Sequence, residues 1–184
     1  KQIEIKIVPL GSANDFWANV NLPGTFDVVE ARFAGGKQRF FINCAEVGFG
    51  AYVVRIGNSL PFLHSYAYLA GTLIASFTNP CKIEIVIMNG VKAGGGTLNF
   101  PWSKPDDGKF EIMFTRNLTF LRLLKNLRKV VSGDKICESD VFYSSASRFE
   151  VKEKGIPVEV DGDIAGISPV EFVIHPHAVR VSKW

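Results

Sequence analysis

Short alternating or continuous apolar runs recur along the whole chain and predict strands at 3–9, 27–33, 38–44, 82–88, 109–115, 147–152, 156–160, 170–175 and 178–182. The period of two is clearest in Ile3-Glu4-Ile5-Lys6-Ile7 and in Ile156-Pro157-Val158-Glu159-Val160. Such runs, bounded by Gly, Pro, Asn or Asp, suit an antiparallel sandwich or barrel better than a wound parallel sheet. Three stretches change to helical spacing, roughly 49–58, 62–77 and 118–131. The last, from Leu118 to Lys129, keeps its leucines on one side. With no internal repeat, low-complexity tract or linker, residues 1–184 are expected to form a single mainly β domain with a few α-helices.

Composition narrows the classes. A hydrophobic share of 47% and a charged share of 21% over 184 residues are those of an ordinary globular domain with a sizeable core. The fifteen phenylalanines favour strand-rich packing. A net charge of +3, without a basic stripe interleaved with aromatics, gives no reason to expect a nucleic-acid partner. It is compatible with anionic lipid or nucleotide. Cys44, Cys81 and Cys137 lie far apart and outside any Cys-x-x-Cys spacing, so a reducing, cytoplasmic compartment is expected. The charged opening strand gives no reason to expect a secretory leader in the sequence as given. The longest apolar stretch, Ser59 to Phe77, is interrupted by Pro61 and His64 and falls short of the roughly 20 residues of a membrane span.

Chemistry concentrates in two places. Asp161-Gly162-Asp163 ends a predicted strand, and Asn14-Asp15 follows a glycine turn after the first one. If the fold joins these ends, Asp15, Asp161 and Asp163 make one acidic site. Taken alone, Asp-Gly is hairpin-turn chemistry and Asn14-Asp15 a helix cap. Gly94-Gly95-Gly96 lacks the lysine and following helix of a phosphate loop and reads as a loop or bulge, and Gly35-Gly36 as a hairpin turn. His175-Pro176-His177 reads as the turn between the last two strands rather than a zinc site, and His64 as a helix residue. Arg122, Lys125, Arg128 and Lys129 are expected on the solvated face of a helix covering one end of the sandwich, with contact to anionic headgroups as the alternative.

Five segments occur in the order seen in a known family. They are Gly11-Ser12-Ala13-Asn14-Asp15-Phe16, Asn43 to Gly50, Gly94-Gly95-Gly96, Lys104-Pro105-Asp106-Asp107-Gly108 and Val160-Asp161-Gly162-Asp163. Pro169-Val170-Glu171-Phe172 and Ala178-Val179-Arg180-Val181 match the closing strands. The chain thus resembles the diacylglycerol kinase and sphingosine kinase family, and within it the bacterial-type soluble lipid kinases. That resemblance implies an antiparallel β-sandwich lobe, the second of two, with NAD kinase-like architecture and with residues 1–20 at the junction to an amino-terminal lobe. The family's Gly-Gly-Asp-Gly-Thr motif, which holds ATP phosphates in that first lobe, does not occur here.

By the same resemblance, the activity is transfer of the γ-phosphate of ATP to a lipid hydroxyl. Diacylglycerol, giving phosphatidic acid, is the leading acceptor, with phosphatidylglycerol and sphingoid bases open. NAD kinase is a weaker alternative, since its nicotinamide-nucleotide motifs are not visible. Asp163 stands where the family usually has a glutamate as proton acceptor, and Asp161 supports it. Asp15 helps organise the catalytic Mg2+ near ATP, beside Gly11, Ser12 and Asn14. A structural Mg2+ is implied at the Asp107 side chain and the carbonyls of Lys104 and Lys109, with a solvated turn as the alternative. ATP would reach the site through the amino-terminal lobe, so this chain alone is expected to be inactive. The lipid partner implies peripheral membrane contact, and an exposed seam implies a homodimer. A non-catalytic lipid-binding or assembly lobe is the competing reading.

Overall fold

Residues 3–8, 14–19, 23–78 and 82–183 are described in a computed structural model of the chain. Its strands are β1 (Ile3–Ile7), β2 (Gly24–Phe33), β3 (Gln38–Phe41), β4 (Cys44–Gly48), β5 (Glu84–Met88), β6 (Lys92–Ala93) and β7 (Leu98–Asn99). They continue as β8 (Phe110–Thr115), β9 (Val141–Ala146), β10 (Arg148–Val151), β11 (Pro157–Val160), β12 (Asp163–Ile167) and β13 (Val170–Lys183). The helices are α1 (Asp15–Asn19), α2 (Phe49–Asn58), α3 (Ala67–Thr78) and α4 (Phe120–Ser132), with a 3-10 turn at Pro61–Tyr66.

Two sheets face each other. One runs β1-β13-β2-β3, with β10 also paired to β13, and the other runs β12-β11-β4-β5-β8-β9. Alternation along each strand sends Val29, Ala31 and Phe172 from the first sheet and Ala45, Val47 and Val158 from the second into one shared core. Phe41 and Phe172 meet edge to face across it at 6.2 Å. Full burial of a side chain of this size stabilises by roughly 1.5–3 kcal/mol. The same alternation turns Cys44, Glu46 and Gly48 to the outer face of the second sheet, which α2 covers. A mainly β sandwich is therefore the architecture, as its pattern predicts.

Several expectations need correction. The runs 170–175 and 178–182 are one strand, β13, whose ladder with β2 shifts register between His175 and Val179. His175 and His177 thus sit in a bulge within a strand, and His175 Nε2 lies 2.8 Å from Glu30 Oε2. The run 38–44 is divided at Ile42-Asn43 into β3 and β4. The 62–77 segment begins as a 3-10 turn, where His64 lies, before α3. β1 pairs in parallel with β13, so the sandwich is not wholly antiparallel. Gly35 and Gly36, at φ 82 and 83, form the expected turn between β2 and β3. In α4, Lys125, Arg128 and Lys129 are exposed as expected, but Arg122 and Asn126 face the protein, and Leu121, Leu124, Leu127 and Val131 are exposed as well.

Candidate functional site

The β11–β12 connection is a two-residue hairpin, with Asp161 at φ 46 and Gly162 at φ 90. Positive φ at both central positions is the type I′ arrangement that Asp-Gly favours. The turn is also fastened from outside. Asp161 Oδ2 accepts the Ile42 N–H at 3.0 Å, and Oδ1 accepts those of Asn43 at 3.2 Å and Cys44 at 2.9 Å. The Asp161 N–H donates in return to the Cys44 carbonyl at 2.9 Å. Desolvation pushes the Asp161 carboxyl above its ordinary value, and the three amides pull it back. Solvent still reaches the residue. With both oxygens engaged, Asp161 is a positioning residue.

Asp163 differs from it. It opens β12, is exposed, and its carboxylate has no hydrogen-bond partner among the described residues. An exposed, unengaged carboxylate at the start of an outer strand is open to an approaching hydroxyl.

Asp15 begins α1, directly after Asn14 at φ 52. Its Oδ2 accepts the Gly95 N–H at 2.7 Å. Gly94, Gly95 and Gly96 have φ of 61, 69 and 80, a run that only glycines adopt without strain. The triplet is therefore a shaped loop, as expected, and it holds Asp15. Asn43 Nδ2 donates to the Lys92 carbonyl at the other side of that loop, at 3.0 Å. Asp15 and Asp161 are so connected through Gly95, β6 and Asn43. The three aspartates do not converge as a single metal-binding group: among the described residues no cluster of three or more His, Cys, Asp or Glu could hold an ion. Gly11 and Ser12 lie outside the described residues, as does Cys81.

In the 104–109 loop, Asp107 is exposed and its Oδ1 accepts the Lys109 N–H at 3.1 Å. That is the geometry of an Asx turn, and it leaves Oδ2 open. One carboxylate oxygen beside main-chain carbonyls fits a largely hydrated magnesium ion and does not fit a protein cage. Lys104 and Lys109 are both exposed at the ends of this loop.

Two buried acidic features escaped the sequence reading. Asp27, 0% exposed, accepts the Gly108 N–H at 2.7 Å and the His177 N–H at 2.8 Å, tying the 104–109 loop to the β13 bulge. Its signal was a lone carboxylate inside the apolar run Phe26-Asp27-Val28-Val29. Glu46 and Glu159 are direct cross-strand neighbours on β4 and β11. Glu159 Oε2 accepts the Gly162 N–H at 2.8 Å and so braces the same hairpin. A Cβ on Gly50 would stand 1.5 Å from Glu46 Oε2, so only glycine lets α2 start this close to the sheet. The Gly50 N–H donates to Glu84 Oε2 at 2.8 Å, a favourable place for negative charge at a helix start.

Burial pushes Glu46 up to about 7, and burial followed by the charge of Glu46 pushes Glu159 well above the usual range. Both hold protons more tightly folded than unfolded. Stability is therefore full below the ordinary carboxylate value and falls as pH rises through about 7. Glu46 keeps partial solvent access, so we expect the loss between pH 5 and 8 to be roughly 2 kcal/mol, at 1.36 kcal/mol per pKa unit. Urea unfolding of Glu46→Gln should show a clearly smaller decline, with the share owed to the burial of Glu159 remaining. An equal decline in both proteins would refute the assignment.

Residues 70–183 match the family of YegS C-terminal NAD kinase beta sandwich-like domains. The chain is 31% identical to a probable lipid kinase YegS-like protein of Chromohalobacter salexigens, over 85% of this chain and 60% of that protein. It is 23% identical to a diacylglycerol kinase of Bacillus subtilis, over 91% of this chain and 65% of that protein. A crystal structure of a putative diacylglycerol kinase from Bacillus anthracis superposes with a TM-score of 0.62 at 21% identity, over 93% of this chain and 65% of that one. The chain thus spans about two thirds or less of these relatives' length, and the last likeness is one of fold. Sandwich, hairpin and family match agree, and the chain belongs to the YegS-type lipid kinase family as its C-terminal β-sandwich lobe.

Proposed function

We propose that the protein carrying this lobe is an ATP-dependent lipid kinase that phosphorylates diacylglycerol to phosphatidic acid. The observation that carries the reading is the Asp161-Gly162-Asp163 hairpin, which holds one carboxylate fixed and presents the other unengaged. The names of its relatives, lipid kinase and diacylglycerol kinase, support the reaction class. In the reaction the lipid hydroxyl oxygen bonds to the γ-phosphorus, Asp163 takes the hydroxyl proton, and the bond to the β-phosphate oxygen breaks to release ADP. Asp161 keeps the hairpin seated on Ile42–Cys44, and Asp15 shapes the glycine loop beside it. Gly11, Ser12 and Asn14 are assigned to the ATP side, with the amino-terminal lobe of the longer protein supplying the remaining nucleotide contacts. Asp15 and Asp107 are the residues assigned to magnesium, the second with the carbonyls of Lys104 and Lys109. When bound, the ion neutralises phosphate charge at the first position and stiffens the loop at the second. The protein works in the cytoplasm and meets its lipid at a membrane surface.

The test is transfer of labelled γ-phosphate by the full-length protein to diacylglycerol, phosphatidylglycerol or sphingosine in mixed micelles. Label in diacylglycerol is expected. Transfer to none of the three would favour a non-catalytic lipid-binding or assembly lobe.

A further inference from the structure

Helix α4 is set on the protein by its polar side. Arg122 donates to Glu138 through Nε at 2.7 Å and to Asp140 through Nη1 at 2.5 Å, with Nη2 also on Asp140. Asn126, the buried residue of the helix, donates to Glu138 Oε1 at 3.2 Å. Hydrogen bonds from Asn126 and Lys125 and the nearby Arg122 hold the Glu138 carboxyl down to about 2. Both ends are capped, by the Thr119 side chain and by Gly133 at φ 81. The helix is therefore well formed, and it is fixed in an orientation that turns Leu121, Leu124 and Leu127 away from the core.

What faces out is organised. Leu121, Leu124, Leu127 and Val131 form one exposed stripe, with Leu121 at 77%. Exposed Arg128 and Lys129 lie on the same helix, while exposed Lys125 is paired with Glu138 at 3.1 Å. Phe120, at the start of α4, stacks on Phe77 of α3 with ring centroids 5.2 Å apart. The stripe thereby continues onto exposed Leu69, Leu73 and Phe77, and onto Phe62 and Tyr66 of the 3-10 turn. From Pro61 to Thr78 there is no Asp, Glu, Lys or Arg, and α4 contains no acidic residue. Among the described residues no helix is long and apolar enough to cross a membrane.

We infer that this face of α3 and α4 is a docking surface for a bilayer rich in anionic lipid. Apolar side chains bordered by cations, on helices that carry no carboxylate of their own, are complementary to acyl chains beneath anionic headgroups, the arrangement of helices that lie in the interface plane. Each cation near such a surface adds to the attraction. The face also adjoins the proposed site. The β6–β7 hairpin is held at Gly95 by Asp15 and at Asn99 by a hydrogen bond to the Val131 carbonyl at 3.3 Å. The inference deepens the lipid kinase reading by naming the surface through which its substrate is met, yet binding is measured without turnover.

The experiment is co-sedimentation of the full-length protein with phosphatidylcholine vesicles, with and without phosphatidylglycerol. The variants are Leu121→Ser with Leu124→Ser, and Arg128→Glu with Lys129→Glu. All four positions are exposed, so circular dichroism and melting should stay unchanged. Binding to the anionic vesicles is expected to fall at least about tenfold in each variant, and neutral vesicles should bind less than anionic ones. Undiminished binding by both variants, or none by the parent protein, would overturn the inference. So would a dimer in light scattering that the leucine variant dissolves, because the face would then belong to a second copy. Resistance of a Leu121→Cys thiol to labelling in the full-length protein before vesicles are added would assign the face to the rest of the protein instead. Loss of kinase activity with vesicle binding intact would count against the proposed reaction and leave this inference standing.

Discussion

In Asp163→Asn, lipid phosphorylation should fall by between about a hundredfold and ten-thousandfold, the range a lost general base commonly accounts for. The amide occupies the same space but cannot accept the hydroxyl proton. Because Asp163 is exposed and unpartnered among the described residues, the melting temperature should not move, and KM for ATP should stay near its original value. Asp163→Glu restores the chain length usual in the family and is expected to retain or raise the rate. Initial rates across a range of ATP, together with a melting curve, separate these outcomes. Full activity in Asp163→Asn would remove Asp163 from the reaction, and the base would have to be sought elsewhere.

For Asp27→Ala the expected effect is on stability. Its carboxylate is the acceptor for the Gly108 and His177 N–H groups, and the residue is wholly buried. Each amide left without an acceptor costs about 1–3 kcal/mol, so the variant should lose roughly 3–5 kcal/mol. The midpoint of urea unfolding should drop accordingly. Asp27→Asn keeps one acceptor oxygen and should lose less. An unchanged midpoint in Asp27→Ala would mean that the clamp between the 104–109 loop and β13 contributes nothing measurable.

Local pattern carried most of the architecture. The spacing over 49–58 matches α2, and the short bounded runs find most strands to within a few residues. β9 was missed because Val141-Phe142-Tyr143-Ser144-Ser145-Ala146 is a half-exposed sheet edge with little apolar contrast. β12 was missed because a glycine interrupts Asp163-Ile164-Ala165-Gly166-Ile167. Pro176 suggested a break in β13, yet the strand continues through a bulge held by Asp27, 150 positions away along the chain. The period of α4 was legible, but its orientation was not, since Glu138 and Asp140 lie beyond the helix and decide which side faces inward.

The site shows the same division. Ordered motifs located the Asp161-Gly162-Asp163 hairpin and the glycine triplet. The division of labour within the hairpin needed the amides of Ile42, Asn43 and Cys44. The Glu46–Glu159 pair depends on register between β4 and β11, which no single-strand pattern specifies.

β12 is an outer strand of its sheet, bonded only to β11, and the β11–β12 ladder is irregular at Val158/Glu159. A strand held along one flank shifts at lower cost than one held along two. Asp161 is pinned by its amides while Asp163 rides on the freer strand, so the two ends of a single turn differ in compliance. The side chain of Asp163 is one methylene shorter than a glutamate, and misplacement by about 1 Å can cost on the order of a hundredfold in rate. If Asp163 is the proton acceptor proposed above, the outer strand is where the missing reach would come from, with backbone travel standing in for side-chain length.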